Sequence, residues 1–461
     1  MNTQIGEDCG IIGVYGIEDA ARIAYMGLYT LQHRGQESAG VVVSDGRKIR
    51  SVKDFGLVSE ALDPEEMVNL KGEIGIGHVR YSTTGTKRVQ NIQPLIVEYD
   101  KEIVAIGHNG NLVNTQSLRS RYEEKGSIFQ TSTDSEIFVH LLADPKFRSC
   151  KDPLAESLSC VKGAYSVVMM NADTLTAFRD PGGFHPLSIG RLGNGYIVSS
   201  ETCVFDVIGA EFVRDVAPGE IVRMNKNGLR STTFADKNCS YCIFEHIYFA
   251  RPDSMIFGDN VHEVRKQLGI QLARNDSVDA DVVIAVPDSG NSAAYGYSLE
   301  SGIPLERGFI RNYYIGRTFI MPDTRLGNVE LKLNIIKDVV HGKRVVVVDD
   351  SIVRGTTSKS RMKRLRDFGA REIHLRISAP PIRFPCHFGI DFQHADELIA
   401  RDYSEEKICE FVGADTLKYQ TVDGLLASVS GNKSDYCLGC FTGDKPMETE
   451  ENLEKKMLES H

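Results

Sequence analysis

The chain has 461 residues, 41% of them apolar and 25% charged, with a formal net charge of −10. That size predicts two or three domains with sizeable cores, and the acidic balance disfavours a general nucleic-acid binder. No apolar run approaches the ~20 residues of a membrane span, the first eight residues lack the basic and apolar regions of a secretory signal, and ten cysteines are too dilute for a disulfide scaffold, which together predict a cytoplasmic protein.

The chain opens "MNTQIGED", then Cys9, then the glycine-punctuated run "GIIGVYG". Cys9 is either a core cysteine at the first strand or a nucleophile exposed by removal of an eight-residue leader. From residue 9 to about 235, short segments rich in Val, Ile and Tyr are bounded by Gly, Asn and Asp: "AGVVVSDG", "EIGIGHVRYS", "EIVAIGHNGNL", "AYSVVMMNAD", "GYIVSS" and "GEIVRMNKNG". Helices are predicted around Ala20–His33 and Ser135–Leu142. The pattern predicts an α+β domain of layered antiparallel sheets. Within it, Asn109-Gly110 also suits a hairpin turn, and Arg80 a surface charge.

From about residue 237 the rhythm becomes strand, loop, helix. "ADVVIAVPDSG" is a buried strand running into a turn at Pro287–Gly290. "VVVVDDSIVRGTT" (345–357) is a second, ending in Asp349 and Asp350. The following helix places Met362, Leu365 and Phe368 on one face, with Gly369 as its stop. Continuous apolar strands alternating with helices predict a parallel sheet covered on both faces, with ligands at the strands' carboxyl ends. A buried strand interior does not tolerate two adjacent carboxylates, so the acidic pair is expected to emerge at the sheet's edge. Ser351, Gly355, Thr356 and Thr357 and the helix N-terminus suit a phosphate, while the acids suit ribose hydroxyls or magnesium. Gly316–Asn334, carrying Arg317, Arg325 and Lys332, is either an exposed connector or a lid over a charged ligand. Lys359, Arg361, Lys363, Arg364 and Arg366 read as a solvated helix face, or, in a rival reading, as a nucleic-acid-binding surface. Two C-x-x-C pairs, Cys239/Cys242 and Cys437/Cys440, suggest zinc by spacing alone. Cys150, Cys160, Cys203 and Cys409 read as small core residues.

Motifs in both halves carry a family resemblance. "VVVVDDSIVRGTT" resembles the phosphoribosyl-diphosphate signature of type I phosphoribosyltransferases. "CGIIGVYG", "LQHRGQESAGV", "GHVRYSTTG", "GHNGNLVN" and "TSTDSE" resemble the class II, N-terminal-nucleophile glutamine amidotransferases. Together they resemble the glutamine phosphoribosylpyrophosphate amidotransferase family, in its iron–sulfur branch with an N-terminal propeptide. The resemblance implies a propeptide at 1–8, a glutaminase domain at 9–236 and a phosphoribosyltransferase domain with a C-terminal extension at 237–461. It implies that glutamine and 5-phosphoribosyl 1-diphosphate give 5-phosphoribosylamine, the first committed step of purine synthesis. Cys9 would be the nucleophile, with Asn109 and Gly110 as oxyanion donors, Arg80 on the glutamine carboxylate and Asp134 on its amino group. Asp349, Asp350, Ser351, Arg354, Gly355, Thr356 and Thr357 would hold the phosphoribosyl group. Ser289 would join Asp349 and Asp350 on Mg2+. Cys242, Cys386, Cys437 and Cys440 would hold a [4Fe–4S] cluster, leaving Cys239 a bystander. Purine nucleotides as inhibitors and a homo-oligomer, tetrameric in the family, are implied, with no nucleic acid or membrane partner. In "DPGGFHPL" (180–187), Gly183 and His185 depart from the family's usual aromatic or His and Arg, so no specific contact carries over there.

Overall fold

The computed structural model describes residues 9–81, 88–99, 102–276, 278–312, 333–390, 392 and 394–450. The leader Met1–Asp8, residues 82–85 of the "YSTTG" motif and the lid stretch up to Lys332 lie outside the described residues.

The first half contains thirteen described strands, β1 (Gly10–Tyr15), β2 (Ser38–Ser44), β3 (Ile49–Phe55), β4 (Ile74–Arg80), β5 (Leu95–Tyr99), β6 (Glu102–Leu112), β7 (Gly163–Met170), β8 (Leu175–Arg179), β9 (Ser188–Leu192), β10 (Gly195–Ser199), β11 (Glu211–Asp215), β12 (Glu220–Asn225) and β13 (Gly228–Thr233). They form a seven-stranded sheet in the order β11-β9-β10-β1-β4-β2-β3 and a six-stranded sheet in the order β13-β12-β8-β7-β6-β5. Neighbours in both sheets run antiparallel. The period of two along β1 divides its side chains between two cores. Ile11 faces the second sheet with Val42, Ile76, Ala105, Val168 and Leu175. Ile12 and Val14 face the opposite way, onto the helix Ala20–Thr30 through Ala24 and Leu28. The outer face of the second sheet is covered by helices Thr115–Glu124 and Glu136–Ala143 through Leu118, Ile137 and Leu141. Four layers result, helix–sheet–sheet–helix, the arrangement expected from the alternating strands.

The second half is built on a four-stranded parallel sheet of Val282–Ala285, Arg344–Asp349, Glu372–Ile377 and Thr416–Tyr419, in that order. Val346 and Val348 pack under Ala293 and Tyr297 of the helix Asn291–Ser301. Val345 and Val347 face the other way, toward Met362 and Leu365 of the helix Thr356–Asp367. An apolar strand buried on both faces is what that parallel arrangement requires. A short parallel pair, Tyr241–Cys242 with Tyr436–Cys437, ties the start of this half to its end.

Candidate functional site

Cys9 immediately precedes β1 and is buried; its thiol lies 3.5 Å from the carbonyl of Tyr81. Gly10 pairs with Val79, so β1 begins where β4 ends, beside Arg80. Arg80 is buried, not a surface charge, with Nη1 3.9 Å from Glu37 Oε1. At Gly107, β6 crosses over β1 and β4: a Cβ there would lie 3.7 Å from both Ile11 Cγ2 and His78 Cδ2. Cys9, Arg80 and Asn109 are each two residues from that crossing.

The Asn109-Gly110 pair is not a hairpin turn. It lies inside β6, opposite Ser166 and Tyr165 of β7. The long β6 overrides the local turn preference because its ladder with β7 runs on through Leu112. Among the described residues, both polar atoms of the Asn109 side chain are buried without a hydrogen-bond partner. At Asn109 the strand is paired with β7 alone, the ladder with β5 ending at Ile106, and a buried orphan amide there is a candidate ligand group. Gly110 holds φ +141°, and a Cβ there would lie 2.0 Å from the Ala164 carbonyl oxygen. Only glycine fits so close a backbone approach.

Asp134 is buried, accepting the Leu112 N–H at 2.9 Å. Burial works against its charge, yet the His108 ring and the surrounding hydrogen bonds hold its carboxyl below the usual range. Sequence reasoning missed the support around it. His108 Nδ1 lies 3.1 Å from Ser135 Oγ and 3.6 Å from Asp134, and its backbone N–H donates to Gln93. His78 donates to the His108 carbonyl at 3.0 Å. The alternating "GHV" and "GHN" were the available signal, since two histidines in apolar strands need buried partners.

In the second half, the acidic pair does end the strand but does not emerge from the protein. Asp349 and Asp350 are 3% and 7% exposed. The pair sits at the strand end, as expected, and stays buried there because it is partnered. Ser289 Oγ donates to Asp350 at 2.6 Å, Ser351 Oγ donates to the same carboxylate, and Arg361 Nη1 donates to Asp349 at 2.8 Å. Burial and the neighbouring Asp350 push Asp349 up to about 7, against the pull of Arg361. Arg361 is therefore no member of a solvated basic face; its side chain is 12% exposed. Gly355, at φ +75°, caps the helix that Thr356 and Thr357 open. Arg354 pairs with Glu397 at 2.5 Å. The structure thus brings Ser289, Asp349, Asp350 and Ser351 together at the carboxyl end of the parallel sheet.

Cys242, Cys386, Cys437 and Cys440 line one cavity with Phe184, Phe244, Phe388 and Ile390. Cys239 stays outside it and donates to Tyr241. Burial, Glu245 and the other three thiols push Cys242 well above the ordinary thiol range, and burial with Cys386 and Cys437 does the same to Cys440. Four thiols gathered along one largely apolar cavity are a donor set that fits an iron–sulfur cluster. Among the described residues, no group of three or more His, Cys, Asp or Glu is arranged to hold a single metal ion. The spacing that suggested zinc is not realised, because Cys239 does not join the cavity. Of the cysteines expected in the core, Cys203 is fully buried, while Cys150, Cys160 and Cys409 are only half-buried.

The departing segment lies where the two halves meet. His185 Nε2 is 2.8 Å from the Phe388 carbonyl and Nδ1 3.2 Å from Glu245, while Phe184 stacks on Phe388.

Residues 78–206 match the glutamine amidotransferase domain family. The chain is 48% identical to the amidophosphoribosyltransferase of Bacillus subtilis (strain 168) over 452 residues, 96% of this chain and 95% of that one. It is 46% identical to the chloroplastic amidophosphoribosyltransferase 1 of Arabidopsis thaliana, over 96% of this chain and 80% of that one. Among solved structures, an allosteric regulatory enzyme of purine biosynthesis superposes with a TM-score of 0.92 at 47% identity, covering 96% of this chain and 97% of that one. The glutamine phosphoribosylpyrophosphate amidotransferase of B. subtilis, complexed with ADP and GMP, gives 0.91 at 47% identity, covering 96% and 98%. With a glutaminase-like sheet sandwich and a phosphoribosyl-type strand end in one chain, matched over nearly its full length, this chain belongs to the amidophosphoribosyltransferase family.

Proposed function

We propose that the chain hydrolyses glutamine at Cys9 and passes the ammonia to C1 of 5-phosphoribosyl 1-diphosphate, forming 5-phosphoribosylamine and releasing diphosphate. The Cys9 thiolate attacks the glutamine amide carbon. Its own α-amine, once the bond to Asp8 is cut, takes up the thiol proton; its reference pKa of ~7.7–8.0 suits neutral pH. Asn109 Nδ2 and the Gly110 N–H donate to the oxyanion; as it collapses, the α-ammonium returns its proton to the amide nitrogen, the C–N bond breaks, and a thioester and ammonia result. Water then hydrolyses the thioester to glutamate. Arg80 clamps the glutamine carboxylate and Asp134 its ammonium.

In the second half, Asp349 and Asp350 hold the ribose hydroxyls, while Ser351, Arg354, Gly355, Thr356 and Thr357 hold the 5-phosphate. Ser289, Asp349 and Asp350 fit a hard divalent cation, and Mg2+ held by them would supply charge neutralisation for the departing diphosphate. The four cavity thiols, Cys242, Cys386, Cys437 and Cys440, would hold a [4Fe–4S] cluster that cross-links distant parts of the second half. The reading divides the chain into a glutaminase domain at 9–236 and a phosphoribosyltransferase domain at 237–461. A cytoplasmic homo-oligomer, a tetramer by family resemblance, regulated by purine nucleotides, completes the reading.

The observation that carries this reading is the orphan Asn109 amide beside Gly110. Cys9→Ala tests it. Glutamine-dependent synthesis is expected to vanish while synthesis from high ammonium persists. Equal loss of both routes would count against separate sites.

A further inference from the structure

We propose that Arg34 and Glu245 are a positioning pair through which the second half of the chain fixes the reactive geometry of Cys9. The proposal rests on Cys9 being the glutaminase nucleophile. Arg34 comes from the "LQHRGQ" segment that follows the first helix, a motif with no role in the mechanism above. Its Nε donates to the backbone carbonyl of Cys9 at 3.1 Å. Its two terminal nitrogens grip Glu245, at 2.7 Å to Oε1 and 3.1 Å to Oε2, and Nη1 also donates to Glu201 at 2.6 Å. A guanidinium bound in this forked way is held in one orientation.

The side chains of Arg34, Glu201 and Glu245 all have zero exposure. Burying three charges is costly, and stability alone does not require it, since apolar residues of similar size serve as well or better. What the ions supply here is a defined connection. Glu245 belongs to a five-residue π-helix, Glu245–Phe249, at the start of the second half. Such helices are rare and gather at functional sites. Glu245 is fixed in turn by His185, whose other nitrogen meets the Phe388 carbonyl. A parallel tether runs from β6: Asn111, two residues beyond Asn109, donates to the His387 carbonyl at 2.9 Å. The nucleophile and the oxyanion strand are therefore both fastened to the second half, at Glu245 and at residues 387–388.

The consequence is directional. A shift of the second half at Glu245 moves the Arg34 fork, and with it the Cys9 carbonyl that orients the nucleophile. Misplacing a reacting group by 1 Å costs up to roughly 10²-fold in rate. The effect falls on kcat for glutamine, because glutamine is gripped elsewhere.

The test uses full-length enzyme carrying Arg34→Lys or, separately, Glu245→Gln. Lysine keeps the charge but cannot grip Glu245 and reach Cys9 together. Glutamine keeps the shape of Glu245 with one acceptor, and so remains informative if the lysine variant fails to fold. For each, kcat for glutamine hydrolysis is expected to fall by about tenfold or more, with KM for glutamine nearly unchanged and ammonium-dependent synthesis retained. Alkylation of Cys9 by a diazoketone analogue of glutamine is expected to slow in parallel. Equal loss of both synthetic routes, or unchanged glutamine kinetics in the folded variants, overturns the proposal. Retained glutamine-dependent activity in Cys9→Ala would instead overturn the nucleophile assignment beneath it.

Discussion

Gly110→Ala is the sharpest single perturbation of the glutaminase site. The added Cβ would lie 2.0 Å from the Ala164 carbonyl oxygen and 3.0 Å from Tyr165 Cα, all of it backbone, at φ +141°. No side-chain rotamer relieves such a contact. Atoms in van der Waals contact sit at about 3.5 Å, so β6 and β7 must separate by more than about 1 Å locally. That displacement carries the Gly110 N–H and the Asn109 amide away from the oxyanion. Loss of one oxyanion donor alone costs about 10²–10³-fold in kcat, so glutamine hydrolysis is expected to fall by at least that much. Gly107→Ala on the same strand is the control. Its Cβ would meet Val168 Cγ2 at 3.4 Å and nothing nearer, so it should keep glutamine turnover close to that of the parent. Steady-state glutamate release, with ammonium-dependent synthesis measured alongside, separates the two variants. Wild-type glutamine turnover in a folded Gly110→Ala protein would refute the assignment of this backbone to the oxyanion site.

Other outcomes follow from the remaining sites. Cys386→Ser should abolish the brown colour and iron content of anaerobically purified protein, whereas Cys239→Ser should leave both; a zinc protein indifferent to Cys386→Ser would exclude the cluster. Asp349→Ala and Asp350→Ala should each impair glutamine- and ammonium-dependent synthesis alike, because phosphoribosyl binding is common to them; loss confined to the glutamine route would move these acids out of that site. Burial is the main cause that pushes His78 down to about 3 from 6.5. A proton then prefers the unfolded chain, so the stability His78 contributes is present above pH ~6.5 and is lost as pH falls toward its folded value, by up to about 1.4 kcal/mol per pH unit. Denaturation midpoints between pH 6.5 and 4.5 should fall less steeply in His78→Gln than in the parent, and identical slopes would contradict the buried neutral ring.

The two architectures were legible because each leaves a different period in the chain. "EIVAIGHNGNL" coincides with β6, Glu102–Leu112, and "VVVV" ends at the expected acids. The helix Thr115–Glu124 was not legible. Its sequence, TQSLRSRYEE, offers only Leu118 and Tyr122 to a core, spaced one turn apart amid polar residues. Edge strands such as β11 and β13 are similarly exposed along much of their length, so tertiary pairing rather than apolar pattern defines them. The Arg34–Glu245 contact joins residues 211 apart, and nothing local in either segment announces the other.

Arg361 turns inward from its helix to Asp349. Five basic residues within eight positions resemble a solvated face when counted together. They do not share one face, however. The buried residues of this helix are Ser358, Met362 and Leu365. Arg361 lies three residues after Ser358 and four before Leu365, so its side chain flanks the buried stripe. Lys363 lies away from that stripe and is exposed, pairing with Asp367. The helix begins at Thr356, directly after the loop that leaves Asp349 and Asp350, so its buried flank returns to the strand end within two turns. A cation on that flank, beside two acids that the strand forces inward, has an obligate partner. The acids stand at the strand end as expected, and the arginine, expected on a solvated face, turns to them instead: each group supplies the charge that lets the other stay buried.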